Sequence, residues 1–298
     1  MTLAEHSETN PLHAPFCADR ACQMRTPILE NVQIARDTFR VRFGCPAIAQ
    51  RIIPGQFVMM RLADCDDPLL ARPLALYDTI VSQDGAATGI DIVYLTAGKF
   101  TRRLAGSGPG EMLEVWGPLG NGFPPQSAEH LIIAAGGIGQ TPFLALAAEH
   151  LGRKRYGDPP RETPRPRRIS FCFGARSADY LAGVDDFRQL GIDVRLSTDD
   201  GTQGHPGLVT DVLRKLLEQR SAESRQIVCC GPERMMEAVA EVALRFKVPC
   251  QVSLETPMAC GIGICFTCVA KVRQSDGSWD YKRTCVEGPI FDAEQIVW

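Results

Sequence analysis

The sequence shows no charge excess, no visible secretory-signal pattern, no unbroken apolar helix and no internal repeat. Its 298 residues carry 32 basic against 35 acidic side chains, for a formal net charge of −3. Such a balance builds no field that would gather nucleic acid or an anionic membrane, so neither is expected as a partner. The opening residues MTLAEHSETNPLHAPF lack a basic flank followed by an apolar core. No secretory signal is expected there, and a reducing, cytoplasmic setting is. One uncharged stretch, LIIAAGGIGQTPFLALAA at Leu131–Ala148, reaches the roughly 18-residue length of a spanning helix. Its middle holds Gly136, Gly137, Gly139, Gln140, Thr141 and Pro142, so it reads as strand, tight turn and new helix.

What is present is an ordinary globular composition, 45% hydrophobic and 22% charged, long enough for two or three domains with their own cores. The anomaly is twelve cysteines. In a reducing compartment, clustered cysteines more often hold metal than bridge one another.

Residues 1–26 show no periodicity and are expected as a mobile tail, with Cys17 and Cys22 as incidental thiols. From 27 to 125 the signals are short β-type runs: ENVQIA, TFRVRF, GQFVMMRL, PLALYDTIV, GIDIVYLTA and EMLEVW. Six strands at even spacing, with one helical turn at Phe100–Leu104, predict an antiparallel β-barrel. Residues 126–250 alternate strand and helix, which predicts a parallel α/β domain. Inside it, RKRYGDPPRETPRPRR (Arg153–Arg168) holds seven basic and two acidic residues and reads as a solvated insertion. Residues 251–298 form a third unit, from strand CQVSLE through a cysteine–glycine loop to strand TCVAKVRQ and Cys285.

Cys260, Cys265, Cys268 and Cys285 are spaced C-x4-C-x2-C-x16-C. The first three reproduce the plant-type [2Fe–2S] spacing, which a distant fourth thiolate completes. Gly261 and Gly263 permit backbone conformations that turn amides toward cluster sulfurs. A four-cysteine zinc knot is the alternative, although zinc sites usually use two C-x2-C knuckles and only Cys265–Cys268 forms one.

AAGGIGQTP sets Gly136, Gly137 and Gly139 between a buried strand and a helix that opens at Thr141 and Pro142. Such a turn brings backbone amides to a phosphate, although similar turns also serve plain packing. CCGPERMM repeats the arrangement with Cys230, Gly231 and Pro232, and two such turns on one parallel sheet favour a dinucleotide crevice. In RPLALYD, an arginine followed by a rigid proline can hold a guanidinium against a pyrophosphate.

Taken in order, PGQFVMM, RPLALYD, GPLGNGF, AAGGIGQTP, CGPERMM and ETPMACGIGICFTC with Cys285 resemble the electron-transfer subunits of NAD-dependent type B dihydroorotate dehydrogenases. These belong to the ferredoxin–NADP reductase superfamily, and the resemblance spans residues 28–298. It implies an FAD-binding β-barrel at 27–125, an NAD-binding α/β domain at 126–250 and a [2Fe–2S] domain at 251–298. Arg72, Pro73, Leu74 and Ala75 fall on the flavin motif, with alanine in place of its serine. Val93, Tyr94 and Leu95 fall on the next flavin-contacting strand. Phe100 and Thr101 fall on the following Gly-Thr pair, Phe100 replacing the glycine. The four cluster cysteines match, and Pro257 stands where many relatives carry a basic residue. Arg176 and Ser177 could meet a 2′-phosphate or simply be solvated, whereas the resemblance implies NAD.

The three parts make chemical sense together, because a flavin can link a two-electron nicotinamide to a one-electron cluster. The resemblance implies an oxidoreductase subunit of pyrimidine biosynthesis. It would carry electrons between NAD and the FMN of a catalytic subunit that oxidises dihydroorotate to orotate, in an assembly of two copies of each chain. No catalytic residue for dihydroorotate is expected in this chain. Alternatives are the flavin and iron–sulfur subunit of an NADPH-dependent ferredoxin oxidoreductase, hydrogenase or sulfide dehydrogenase, and, from another class, a zinc-stabilised binding module.

Overall fold

The computed structural model describes residues 20–219 and 221–298. The first part is an antiparallel sheet of β1 (Cys22–Ala35), β2 (Thr38–Gly44), β3 (Phe57–Leu62), β4 (Arg72–Ala75), β5 (Asp78–Val81), β6 (Ala87–Leu95) and β7 (Met112–Leu119). Its order is β4-β3-β7-β1-β2-β6-β5. The two edge strands, β4 and β5, are joined by Leu76 and Tyr77 alone, so the sheet must curl until its edges meet. The result is an open barrel filled by Val41, Phe43, Val58, Met60, Ile90, Ile92, Leu113 and Val115.

Three expectations for this part need correction. β1 begins at Cys22 and pairs Cys22–Pro27 with β7, so residues 22–26 are strand and not tail. Residues 1–19 of the tail, Cys17 included, lie outside the described residues. The run PLALYDTIV is two strands, because the chain turns from one edge to the other at Leu76–Tyr77. A short helix α1 (Pro46–Ala49) joins the expected one, α2 (Lys99–Ala105), its start set by Pro46 at a position where a missing N–H costs nothing.

The second part is built on β8 (His130–Gly136), β9 (Arg168–Ala175), β10 (Asp193–Thr198), β11 (His205–Pro206), β12 (Arg225–Cys230) and β13 (Cys250–Ser253). Helices α3 (Phe143–His150), α4 (Val184–Gln189), α5 (Val209–Glu218) and α6 (Glu233–Phe246) alternate with them. A hairpin of β14 (Val269–Arg273) and β15 (Trp279–Arg283) follows, and the last strand, β16 (Ile290–Asp292), returns antiparallel to β13. The larger sheet runs β11-β10-β9-β8-β12-β13-β16. CQVSLE therefore contributes a parallel strand to the nucleotide sheet and does not open the cluster unit, and the C-terminal strand closes that sheet's edge. The strand order reverses at β8, which makes the gap between the C-terminal ends of β8 and β12 the crevice of a doubly wound sheet.

The uncharged stretch at 131–148 divides as expected into β8, a 3-10 turn at Gly137–Gln140 and α3. Every residue of α3 is buried, its apolar first six residues and also Glu149 and His150 at its end. Among the described residues, no helix is long and apolar enough to cross a membrane. The basic insertion is not a free patch. Lys154 pairs with Asp78, Arg161 with Glu149, Arg167 with Glu129 and Arg168 with Glu223.

Candidate functional site

A cavity of about 750 Å³ opens where the barrel, the nucleotide sheet and the approach to the cysteine loop meet. It is the size of a site for a small organic cofactor. Arg72, Pro73, Leu74, Ala75, Val93, Tyr94, Leu95, Phe100 and Thr101 line its barrel side, and Thr141, Pro142 and Cys230 its nucleotide side. Local geometry modifies several of the expected roles. Arg72 Nη1 donates to the carbonyls of Leu70 and Ala71, at 2.9 and 3.0 Å, which holds the guanidinium at the cavity rim. The Thr101 hydroxyl oxygen accepts from the Ala97 and Gly98 amides at 3.0 and 3.1 Å, so it caps its own helix and is not a free phosphate ligand. Phe100 is buried in the barrel core, and the Tyr94 hydroxyl donates to Asn31 Oδ1. Phe100 occupies core space and cannot supply the open backbone approach that a glycine would give there.

Gly136, Gly137, Gly139, Gly231 and Pro232 are not among the cavity's lining residues. The two glycine turns instead pack on each other. A Cβ on Gly139 would lie 2.5 Å from the Cys230 carbonyl oxygen and 2.6 Å from Gly231 Cα, and one on Gly136 would lie 2.4 Å from Met235 Sδ. Here the glycines permit close backbone approach, which brings Thr141 and Cys230 to one mouth. Gly137, with φ +54°, faces open space.

The opposite wall was not foreseen. Ser253, Leu254, Glu255, Thr256, Pro257 and Met258 line the cavity directly after β13. The available signal was a parallel strand ending in SLE, since ligands in such sheets lie beyond the strands' carboxyl ends. Glu255 faces the cavity mouth but is packed by protein on its other sides, and burial raises its carboxyl above the usual range. Burial, with the nearby Glu255, also pushes the Cys230 thiol well up. The buried thiols of Cys172 and Cys250 are likewise raised, each to about 12, which suits packing and not chemistry.

The segment that walls the cavity runs straight into the cysteine loop. The four thiols fall into two pairs, one open and one enclosed. Cys265 is exposed at the loop apex, between Ile264 and Phe266 at 74% and 62% exposure. Cys268 and Cys285 are buried with their sulfurs 3.1 Å apart. Among the described residues, no three such side chains converge as they would around a single metal ion. Hydrogen bonds from Thr267, then from Cys260, lower the Cys265 thiol to about 6. In the buried pair, the Cys285 thiol lowers Cys268 to about 6 and is itself raised.

The donor set fits a two-iron cluster, in which each iron takes two thiolates. Gly261 and Gly263 hold φ of +73° and +85°, and the Ile262 amide points at Cys260 Sγ at 3.4 Å. A Cβ on Gly261 would come within 2.5 Å of Met59 Cγ. Trp116 Nε1 donates to the Cys260 carbonyl at 3.0 Å, which ties the loop to barrel strand β7. Cluster loop and flavin barrel are thus held at a fixed spacing.

Three family models match in tandem: an oxidoreductase FAD-binding domain over residues 25–123, an oxidoreductase NAD-binding domain over 133–241, and the iron–sulfur cluster binding domain of dihydroorotate dehydrogenase B over 255–297. The last sets aside the zinc-stabilised module. The electron transfer subunit of dihydroorotate dehydrogenase B (NAD(+)) from Bacillus caldolyticus is 36% identical, covering 92% of this chain and 98% of its own. The same subunit from Desulforamulus reducens is 32% identical, covering 91% and 97%. A chain of the NADH-dependent reduced ferredoxin-NADP oxidoreductase superposes with a TM-score of 0.75 at 29% identity, covering 92% of this chain and 90% of that one. Phthalate dioxygenase reductase, at 18% identity and a TM-score of 0.56, shares the fold. The chain carries FAD-binding, NAD-binding and iron–sulfur domains in that order, and it belongs to the family of electron transfer subunits of NAD-dependent dihydroorotate dehydrogenase B.

Proposed function

We propose that the chain exchanges electrons between NAD and the FMN of a dihydroorotate-oxidising catalytic subunit, two copies of each chain assembling in the cytoplasm. In this reading Cys260, Cys265, Cys268 and Cys285 hold the cluster. Arg72–Ala75, Val93–Leu95, Phe100 and Thr101 hold FAD. The turns at Gly136, Gly137, Gly139, Thr141 and Pro142, and at Cys230, Gly231 and Pro232, receive the nicotinamide nucleotide. The three units divide at 27–125, 126–250 and 251–298, with β13 and β16 lent to the nucleotide sheet.

The observation that carries this reading is one continuous segment. Ser253–Met258 walls the cavity, and Cys260 follows two residues later. When bound, a nicotinamide exchanges electrons in pairs, a [2Fe–2S] cluster singly and a flavin either way. The chain's own residues bind, orient and exclude water. Arg72 presents cationic nitrogens at the rim, while Ala75, Val93 and Leu254 keep the cavity wall apolar. Trp116 and Gly261 fix the loop against the barrel.

The exposed rim supports a protein partner. Ile264 and Phe266 flank Cys265, and Trp279 and Tyr281 stand out on the neighbouring hairpin at 49% and 52% exposure. An exposed aromatic side chain beside a redox ligand, with two more on the hairpin, suits a hot-spot interface. Co-expression with an FMN-containing catalytic chain, followed by assay of orotate formation coupled to NAD+ reduction, tests the proposal. NAD-linked turnover should need both chains. If both chains are loaded with cofactor and no NAD+ is reduced, the reading fails, and a requirement for a multi-cluster partner favours the ferredoxin oxidoreductase alternative.

A further inference from the structure

The two walls of the cavity come from different domains, yet the residues just behind them meet at one buried point. Ala75 lines the barrel wall, and Tyr77 lies two residues on. Ile138 and Thr141 line the nucleotide wall, with Gln140 between them. The Tyr77 hydroxyl donates to Asp186 Oδ2 at 2.6 Å. Gly183, at the start of α4, sits beneath both side chains with φ +71°. A Cβ there would lie 2.5 Å from the Tyr77 hydroxyl oxygen and 3.7 Å from Gln140 Nε2. Tyr77 and Gln140 are 2% and 0% exposed. Among the described residues, neither polar atom of the Gln140 amide has a hydrogen-bond partner. A fully buried amide without partners is uncommon and calls for an explanation beyond packing.

The same barrel segment is tied to the nucleotide domain twice more. The Tyr156 hydroxyl donates to Asp78 Oδ1 at 2.7 Å, and Lys154 Nζ donates to the Thr79 carbonyl at 2.5 Å. Tyr156 and Lys154 do not flank lining residues of the cavity, whereas Tyr77 and Gln140 lie within two residues of Ala75 and Thr141, which do line it. A short, buried, directional contact at that place sets how far apart the two walls stand.

We propose that Tyr77 is a positioning residue, which through Asp186 fixes the spacing between the flavin wall and the nucleotide wall and so the stacking of nicotinamide on flavin. The inference rests on the cavity being the FAD and NAD site. A hydride passes only between atoms nearly in contact, so a displacement of about 1 Å costs roughly 100-fold in rate. Binding of the adenine half, far from the joint, should be indifferent to it.

The test uses the full chain loaded with FAD and cluster, as wild type, Tyr77→Phe, Gln140→Leu, Asp186→Leu and Asp186→Asn. Anaerobic titration with NADH reads the long-wavelength charge-transfer absorbance of nicotinamide stacked on flavin. Stopped-flow bleaching gives the hydride-transfer rate, ADP-ribose titration gives affinity for the distal half, and thermal melting gives stability. Gln140→Leu removes no hydrogen bond and should behave as wild type. Tyr77→Phe and Asp186→Leu should keep FAD and ADP-ribose affinity. They should lose most of the charge-transfer band and slow hydride transfer by roughly 10- to 100-fold. Asp186→Asn, which still accepts from Tyr77, should behave as wild type. Tyr77→Phe and Asp186→Leu variants with lowered melting temperature but an unchanged band and rate overturn the proposal, as does an Asp186→Asn variant as impaired as Asp186→Leu. If the wild-type chain retains FAD but shows no band with NADH, the site reading fails and this inference with it. A normal wild type with indifferent Tyr77→Phe and Asp186→Leu variants sinks only the joint.

Discussion

In the cysteine loop the four ligand thiols lie within 26 residues, and each acts through its side chain. In the cavity the walls are drawn from segments between Gly55 and Pro289, and much of what matters is backbone held at close quarters. Thiolate spacing is imposed by the ligand and is written directly in the sequence. The spacing of two glycine turns is imposed by tertiary packing and emerges only when β8 and β12 lie side by side. One site is a local device and the other an assembly product, so they should break differently.

The largest contrast comes from removing one ligand. Cys268→Ser should reduce bound iron from about two per chain to near zero, because an incomplete thiolate set cannot hold the cluster. FAD content and NADH affinity should persist. Iron analysis beside the flavin spectrum checks this, and joint loss of FAD and iron would mean that the two sites are not separable.

Gly139→Ala breaks the assembled site instead. The added methyl meets three backbone atoms of the facing turn, none of which can swing aside. Overpacking of this kind costs roughly 1–3 kcal/mol. NADH affinity should fall together with melting temperature while iron content is unchanged. A variant with native affinity would show that the turns do not need their close approach.

Acid should weaken the nucleotide sheet through a residue at its other end. His130 is buried at the start of β8, with Nε2 2.9 Å from Ser170 Oγ, and burial followed by Arg168 lowers it to about 4. The unfolded chain, titrating near 6.5, then binds more protons than the folded one between about pH 6.5 and pH 4. This contribution is complete above that window and is lost as pH falls through it, up to roughly 3 kcal/mol by pH 4. Denaturant midpoints against pH should decline across the window in wild type and less steeply in His130→Gln. Equal slopes would contradict it.

The smallest effect is expected at Gly137, where an added Cβ meets nothing within 4 Å. Only the left-handed φ of +54° is strained, at a cost of about 1 kcal/mol in Gly137→Ala. Set beside Gly139→Ala, it separates conformational strain from collision within one turn.

The same contrast explains how much could be read from the chain alone. The order of strands and helices in the nucleotide domain was legible because each apolar run has its own period. The ligand thiols were legible because their spacing is a covalent consequence of cluster geometry. The splitting of PLALYDTIV was not, since nothing in its pattern announces that the curled sheet must pass from one edge to the other at Leu76–Tyr77. Nor was the placing of β13 and β16, because strands of four and three residues take their sheet from their neighbours. The wall at Ser253–Met258 was hidden for the same reason. The capping of α2 by the Thr101 hydroxyl was hidden too, because the Ala97 and Gly98 amides reach it only once the preceding turn is formed.

In the proposed function, cavity and cluster loop, held together by the Ser253–Cys260 segment and Trp116, form one electron path. Stepwise anaerobic addition of NADH to the chain loaded with FAD and cluster, followed by optical and electron paramagnetic resonance spectra, tests it most directly. Sub-stoichiometric NADH should bleach the flavin and raise the signal of a reduced [2Fe–2S] cluster in the same samples. A flavin that bleaches while the cluster stays oxidised, with a chemical reductant still able to reduce it, would contradict the account.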